Sequence, residues 1–252
     1  MLITLFWKSS HAFIILIREV IISLTIIVPF FNEERYLQES VERVLEIDCY
    51  SEIILFDDSS TDKSFQIATD LKNSHQNIKL YQHEKNTGKG GCVISAKDFI
   101  NTSHVIVHDA DLEYDPKDIS KLYNESLNYP KDLILGSRTI GNLQRYKKYK
   151  GLVFVNRIFS SLFSLLNSYK VSDIASCYML MPTSFLKKYI FEEKGFGIEV
   201  EILSKFLKTG NKIIELPINY SARSYSEGKK IKIKDGINIF IKILKYRKKI
   251  KF

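Results

Sequence analysis

Three carboxylates at alternate positions, Asp109, Asp111 and Glu113, follow a short apolar run in the middle of the chain. The run, residues 105–107, is entirely β-branched and is typical of a buried strand. If the strand persists through these residues, side chains at i and i+2 point the same way, so Asp109 and Asp111 could converge on one cation. Their hard oxygens suit Mg²⁺ or Mn²⁺, which commonly bridge to substrate phosphates. An isolated Asp-x-Asp also occurs in solvated acidic turns, so the rest of the chain has to decide.

Polar loops follow three other predicted strands. Residues 32–33 follow the first strand, and Asp57 and Asp58 close the second. The two aspartates could accept hydrogen bonds from a ribose or a base, or could cap the helix that follows. The third loop places Lys89 among three glycines, where backbone and lysine could approach a diphosphate, although a plain flexible turn fits equally well.

These four loops should lie together. Strands alternate with helices between residues 24 and 116, which predicts an α/β fold with a mostly parallel, doubly wound sheet. The carboxyl ends of parallel strands share one edge of such a sheet, so the loops would line one cleft. Beyond Pro116 the alternation is looser, with further strands predicted near 132–136, 178–181 and 212–217.

Composition limits the alternatives. The chain has 252 residues, 45% of them hydrophobic, which is enough for a core and excludes global disorder. Three scattered cysteines indicate a reducing compartment without a disulfide framework. The net charge of +8 comes from the end of the chain, because residues 229–252 contain ten Lys or Arg and one acid. A near-neutral body argues against a nucleic-acid-binding core and for an anionic partner at one end.

The two ends of the chain carry separate expectations. Within residues 1–23 the longest apolar run has about six residues, far below the roughly 18–20 needed to span a membrane. This segment could be an interfacial helix or an added strand. The last helix is predicted to be amphipathic, with basic residues on one side and an apolar face on the other. That face consists of Ile237, Phe240, Ile241 and Leu244, and Ile239, Ile243 and Tyr246 widen it. That pattern favours docking on a membrane or a membrane partner, and an ordinary capping helix is the alternative.

Taken in order, the loops resemble those of family 2 glycosyltransferases of GT-A fold. The likeness is greatest to the dolichol-phosphate mannosyltransferase and polyprenyl-phosphate glycosyltransferase branch, and it covers roughly residues 24–247. The matching segments are residues 28–33, 57–62, 86–90, 109–113, 136–138, 173–178 and 223–230. The resemblance implies a catalytic domain over residues 24–228, an N-terminal extension over 1–23 and a basic amphipathic helix over 229–252.

The resemblance also implies a role for each site residue. Residues expected to bind the nucleotide are Pro29, Phe31, Asn32, Glu33, Asp57, Asp58, Lys89 and Asp109. Asp109 and Asp111, with Glu113, would hold Mg²⁺ or Mn²⁺ against the donor diphosphate, where the metal stabilises the charge on the leaving group. Asp111, Arg138 and Asp173 are the expected catalytic residues. Arg223, Lys229 and Lys230 would bind phosphate of the acceptor or donor, although exposed basic residues of this kind are also common without a ligand.

The implied activity is an inverting transfer of a hexose from a GDP- or UDP-linked sugar to a polyprenyl or dolichyl phosphate. Such an acceptor is already anionic and needs no strong base, whereas a sugar hydroxyl would need one, for which Asp173, Glu199 and Glu201 are candidates. Transfer to a glycan hydroxyl and a non-catalytic nucleotide-sugar-binding subunit are the alternatives. The protein is expected on the cytoplasmic face of a membrane, held there through its basic terminal helix or a membrane subunit.

Overall fold

The computed structural model describes residues 23–141, 150–223 and 233–247. Seven strands form one sheet: β1 (Leu24–Phe30), β2 (Glu52–Asp57), β3 (Ile78–Gln82), β4 (His104–Val107), β5 (Leu133–Ser137), β6 (Met179–Pro182) and β7 (Ile213–Pro217). The helices within the described ranges are α1 (Leu37–Leu45), α2 (Ser64–Ser74), α3 (Lys89–Ala96), α4 (Lys117–Asn128), α5 (Lys150–Asn167), α6 (Thr183–Lys188), α7 (Ile198–Leu207) and α8 (Ile233–Tyr246).

The strand order is β3-β2-β1-β4-β6-β5-β7. Strands β1 to β4 are mutually parallel, β6 runs antiparallel between β4 and β5, and β7 is parallel to β5. The expected mostly parallel α/β sheet is therefore confirmed. The carboxyl ends of β1, β2 and β4 lie side by side at one edge, as the predicted cleft requires.

Apolar side chains cover both faces of the sheet. In β1, Leu24, Ile26 and Val28 belong to the core under α1, α2 and α4, whereas Ile27 belongs to the core under α3 and α5–α8. This alternation follows from the two-residue repeat of a strand. All seven residues of β1 are buried, which explains why the strand reads as a continuous apolar run.

One geometric premise of the sequence analysis is wrong. Strand β4 ends at Val107, so Asp109 and Asp111 do not alternate along a strand. They lie in the turn that follows, where Leu112 has a φ of 60° in the left-handed region. The turn, rather than strand pleating, brings these two carboxylates to the same cavity.

Several expectations fall outside the described residues. They concern residues 1–22 and the two lysines Lys229 and Lys230. Of the predicted C-terminal helix, the structure describes α8, which packs against α5 and α7 with Ile243 and Tyr246 buried.

Candidate active site

A cavity of 360 Å³ opens at the carboxyl ends of β1, β2 and β4. Ten of the predicted site residues line it: Pro29, Phe31, Glu33, Asp58, Lys89, Asp109, Asp111, Glu113, Arg138 and Arg223. Asn32, Asp57 and Asp173 are not among the lining residues. The cleft predicted from the coincidence of four loops therefore exists, and most of the predicted side chains meet there.

Asp111 lies at the acidic end of the cavity. Its carboxylate is 3.2 Å from Arg223 Nη2 and accepts a 3.1 Å hydrogen bond from the Glu113 N–H. Burial and the negative charges of Asp109 and Glu113 raise the pKa of Asp111 to about 7, although Arg223 opposes the shift. Burial, the largest of these influences, disfavours the ionised form, and the charge of Arg223 offsets it only in part.

Lys89 bridges two other carboxylates of the cavity. Its Nζ lies 2.8 Å from Asp109 and 2.9 Å from Glu199. Burial alone would raise the pKa of Asp109, but the charge and hydrogen bond of Lys89 outweigh it and hold the pKa below its usual value. Lys89 is the first residue of α3, so the positive end of that helix also faces this part of the cavity.

Glu113 holds the chain segment that carries Arg223. One of its oxygens accepts a hydrogen bond from the Tyr220 hydroxyl, and the other accepts the Arg223 N–H at 2.8 Å. The ring of Tyr220 packs edge-on against Tyr114. The side chain of Glu113 is only 7% exposed, against 25% for Asp109 and 22% for Asp111, so it is less accessible to a cation than they are.

Arg138 and Asp173 form a bidentate ion pair beside the cavity. Arg138 Nε and Nη2 donate to the two carboxylate oxygens at 2.8 Å each, and the guanidinium lies 4.9 Å from the centre of the Tyr220 ring. Burial would raise the pKa of Asp173, but Arg138 outweighs it and lowers the pKa. Asp173 is fully buried, so in this arrangement it orients Arg138 and has no exposed oxygen for a substrate.

The three base candidates occupy different environments. Glu201 is fully buried and accepts hydrogen bonds from the N–H groups of residues 192 and 193. Asp173 is engaged with Arg138, as described above. Of the three, Glu199 alone lines the cavity, at the start of α7.

Two of the predicted nucleotide-binding residues have local structural roles. Asp57 is fully buried at the end of β2 and accepts hydrogen bonds from the Ser60 N–H at 3.1 Å and from Gln82 at 2.7 Å. Asn32 is exposed, has a φ of 51°, and accepts the Thr61 N–H at 2.8 Å. Both shape the loops around the cavity, and neither lines it.

The glycines beside Lys89 bring two backbone segments together. A Cβ on Gly90 would lie 2.2 Å from the Glu193 carbonyl oxygen, and one on Gly88 would lie 2.5 Å from the Lys194 carbonyl oxygen. Gly88 also has a φ of 91°, in the left-handed region. The glycine run therefore permits close packing against residues 193–195, which the sequence analysis did not foresee.

A second group of possible metal ligands includes two residues of the cavity wall, Asp58 and Cys92. Ligand atoms of Asp58, His83 and Cys92 lie within 4.8 Å of one another. The Asp58 oxygens, however, already accept the N–H groups of Thr87 and Gly88 and a hydrogen bond with His83. Burial raises the pKa of the Cys92 thiol, which disfavours the thiolate form that binds metals. This cluster is a hydrogen-bonded support for the loop and fits a metal poorly.

Asp109 and Asp111 fit a divalent cation better. Their side chains are 25% and 22% exposed and both face the cavity. They offer hard oxygen donors, and with Glu113 they form a group of three carboxylates on one cavity wall, which attracts a cation. The donor set is thus suited to Mg²⁺ or Mn²⁺.

The loops predicted to line the cleft also contribute Asn86, Gly88 and Ala110. Other residues of the cavity wall were not predicted: Phe30, Cys92, Tyr114, Ala175, Gly195, Phe196, Tyr220 and Ile239. Tyr220 lies three residues before Arg223, and that proximity could have suggested it. Phe196 and Ile239 come from distant parts of the chain and carry no local signal of a binding role.

Named relatives are similar in sequence to this chain over most of its length. It is 27% identical over 210 residues to a dolichol-phosphate mannosyltransferase of Pyrococcus furiosus, covering 81% of this chain and 58% of that protein. It is 26% identical over 242 residues to a UDP-N-acetylglucosamine–dolichyl-phosphate N-acetylglucosaminyltransferase of Methanococcus voltae, covering 87% of this chain and 94% of that protein. The resemblance to the dolichol-phosphate branch is confirmed.

A solved structure shares the fold. Glucosyl-3-phosphoglycerate synthase of Mycobacterium tuberculosis, in complex with UDP, superimposes with a TM-score of 0.71 over 90% of this chain and 81% of that one, at 16% identity. A second complex of the synthase, with a TM-score of 0.69, holds Mn²⁺, UDP and phosphoglyceric acid. The sequence model for glycosyl transferase family 2 matches residues 25–190. The chain belongs to this family and is a glycosyltransferase.

Proposed function

We propose that this protein is an inverting, metal-dependent transferase that moves a hexose from a GDP- or UDP-linked sugar to a lipid-linked phosphate. The observation that supports this best is the composition of the cavity. Its lining contains the two carboxylates Asp109 and Asp111, and it also contains the cation of Arg138 and the apolar side chains of Phe196 and Ile239. A metal-bound diphosphate suits the first, and a phosphate with an apolar tail suits the second. Two relatives have names that contain dolichol phosphate or dolichyl phosphate, and these names support the same acceptor class.

The donor would bind at the acidic end. Asp109 and Asp111 would hold Mg²⁺ or Mn²⁺, and the bound cation would supply Lewis-acid stabilisation of the leaving diphosphate. Asp58 fixes the Gly88 N–H with a 2.6 Å hydrogen bond and so sets the start of α3 beside the cavity. The positive end of that helix would add to the attraction for the diphosphate.

The acceptor phosphate would bind beside Arg138. Asp173 fixes the plane of the guanidinium through two hydrogen bonds, so the remaining N–H groups point in a defined direction. A phosphate oxygen is already anionic and can attack the anomeric carbon without losing a proton. No general base is then needed, which separates this acceptor from a sugar hydroxyl.

Glu199→Gln separates the two acceptor classes. With a polyprenyl phosphate acceptor, kcat should fall less than about fivefold, whereas loss of a general base would lower it by about 10²–10⁴-fold. Lys89 keeps its partner Asp109 in this variant, so the cavity retains its ion pair. The measurement is hexose transfer from radiolabelled GDP- and UDP-sugars to a short polyprenyl phosphate and to a free glycan.

The two acceptors in that assay also test the proposed function itself. Transfer to the lipid phosphate that survives Glu199→Gln supports the proposal. Transfer only to the glycan, lost in Glu199→Gln, would instead establish the glycan transferase, which the position of Glu199 on the cavity wall favours. The surface variant Glu39→Gln, a matched change on the exposed side of α1, should leave both rates unchanged.

We also propose that the protein reaches its lipid acceptor by docking on a membrane surface through α5 and α8. None of the helices in the described ranges combines the length and apolar character needed to cross a bilayer. However, seven large apolar side chains of α5 and α8 are exposed: Phe154, Val155, Ile158, Leu165, Ile237, Phe240 and Ile241. The two helices pack together, and Lys245 and Arg247 lie exposed at the end of α8. Apolar residues beside cations are typical of interfacial helices.

Binding to anionic vesicles tests this surface. Replacing Phe154 and Ile237 together with aspartate should weaken sedimentation with phosphatidylglycerol vesicles by about tenfold or more, because two apolar anchors become repelled charges. Leu127→Asp is the control, since Leu127 is 49% exposed on α4, at the opposite face of the sheet. Equal binding by all three proteins would contradict the proposed surface.

A further inference from the structure

Arg223 is held loosely among three carboxylates. Its Nη2 lies 3.2 Å from Asp111, its Nη1 lies 3.5 Å from Glu33, and its Nε lies 3.8 Å from Glu113. The guanidinium also stacks over Tyr36 at 5.0 Å from the ring centre. These distances contrast with the two 2.8 Å hydrogen bonds between Arg138 and Asp173. Arg223 therefore acts as a shared counter-ion and is not locked to one partner.

The Nε of Arg223 is buried and makes no hydrogen bond within the described part of the chain. A buried donor without an acceptor is costly, so an oxygen-rich ligand entering the cavity would be favoured at this position. The backbone of Arg223 is fixed by the 2.8 Å hydrogen bond from its N–H to Glu113. A rotation of the side chain alone would be enough to change its partner.

Arg223 competes for the oxygens that a divalent cation would use. Both oxygens of Asp111 are engaged, one with Arg223 and the other with the Glu113 N–H. A divalent cation bound to Asp111 would lie within a few ångströms of the guanidinium. At that distance the two positive charges repel each other, and the repulsion is stronger than in water because a protein cavity screens charge less. The cation and Arg223 cannot both take Asp111 without this penalty.

We propose that Arg223 is the resident counter-ion of the acidic cluster, displaced from Asp111 by the divalent cation and taken up by the diphosphate of the donor. The inference deepens the proposed function and rests on it. The nucleotide supplies a new anionic partner for Arg223. When Arg223 leaves Asp111 for that partner, the carboxylate becomes accessible to the metal ion. Metal and nucleotide therefore bind with positive coupling, and by linkage each strengthens the other to the same extent.

The test measures Mn²⁺ binding directly, without turnover. Free Mn²⁺ is followed by electron paramagnetic resonance at pH 8 during titration of the full chain, alone and with UDP or GDP. Arg223→Met and Arg223→Gln are each expected to bind Mn²⁺ about tenfold or more tightly than the wild type in the absence of nucleotide. The tightening produced by nucleotide should shrink in both variants, because the competing cation is already gone.

Arg43→Met is the matched control. It removes the same charge from α1, where Arg43 lies 3.9 Å from Asp115 and does not line the cavity. Its Mn²⁺ affinity should equal that of the wild type. Thermal melting of each variant confirms that it is folded. Two substitutions of different polarity are made at position 223, so that the test still stands if one of the two variants does not fold.

The outcomes distinguish this inference from the proposed function. Equal or weaker Mn²⁺ binding in both folded Arg223 variants, with nucleotide-dependent binding intact in the wild type, overturns the counter-ion role and leaves the donor site standing. Absence of Mn²⁺ binding in every protein, with or without either nucleotide, overturns both proposals. Equal tightening in Arg43→Met would show a general effect of net charge and would also refute the specific role of Arg223.

Discussion

Asp111→Asn is expected to lower hexose transfer by about 10²–10³-fold, the loss typical of removing one group that stabilises transition-state charge. It should also remove the rise in Tm that Mn²⁺ with UDP or GDP produces, because a ligand that binds only the folded protein raises Tm by mass action. Asparagine keeps the size of the side chain and one oxygen but loses the charge. The measurement is a thermal-shift panel of both nucleotides with and without Mn²⁺, beside the transfer assay.

The same substitution should leave the ligand-free protein intact. Burial and neighbouring acids raise the pKa of Asp111 above its usual value, so its ionised form opposes folding above the unfolded pKa. Neutralising it should keep or raise the Tm without ligand, which separates loss of function from loss of fold. Asp115→Asn is the control, since Asp115 is in the same turn region but does not line the cavity. A retained metal-dependent shift in Asp111→Asn would refute the proposed metal site.

A wild-type protein that shows no shift with either nucleotide would favour another role. It would point to the non-catalytic subunit considered from the sequence. The cavity argues against that role, because Asp109, Asp111, Arg138 and Arg223 all line it.

Local patterns were sufficient to predict the edge of the sheet at which the site forms. Apolar runs ending in polar residues place Glu33, Asp58, Lys89 and Asp109 at the ends of successive parallel strands, and the sheet topology brings them together. This step needs only strand periodicity and the geometry of parallel connections. It does not depend on which side chains touch one another.

The same patterns could not separate neighbours of like chemistry. Asp57 and Asp58 are adjacent carboxylates, yet Asp57 is the last residue of β2 and points into the packed loop, whereas Asp58 lines the cavity. Which of the two faces outward depends on the residue at which the strand ends. Strand boundaries are among the least certain features of a sequence pattern. The end of β4 at Val107, before Asp109, was not predicted for the same reason.

Contacts between distant segments were also beyond reach. The glycines around Lys89 pack against residues 193–195, about a hundred positions further along the chain. Arg138 and Asp173 lie on separate elements, and Ile239 reaches the cavity from the last helix. Such pairings depend on how helices pack over the sheet, which residue types alone do not specify.

Arg138→Met is expected to lower the free energy of unfolding by about 3 kcal/mol at pH 7, the lower end for breaking a buried ion pair by removing one partner. The side chain of Arg138 is 10% exposed and that of Asp173 is fully buried, so little water can replace the lost charge. Asn156 and the backbone N–H of residue 138 still donate to the carboxylate at 2.9 Å, which limits the loss. Urea unfolding followed by circular dichroism gives the value.

The dependence of that loss on pH identifies its cause. In the wild type, Arg138 holds the pKa of Asp173 below its unfolded value, so the stabilisation is complete above the unfolded pKa of about 4 and is lost as the pH falls through the folded value. Without Arg138, burial is the largest remaining influence on Asp173 and raises its pKa. Protonation in mild acid therefore removes the unpaired charge that destabilises the variant. The difference between the two proteins should therefore be largest at neutral pH and shrink towards pH 4.

Arg43→Met, which breaks a partly exposed pair, should cost less than about 1 kcal/mol at either pH. A loss in Arg138→Met that does not change with pH would show that packing against Tyr220, and not the charge on Asp173, is what the arginine supplies.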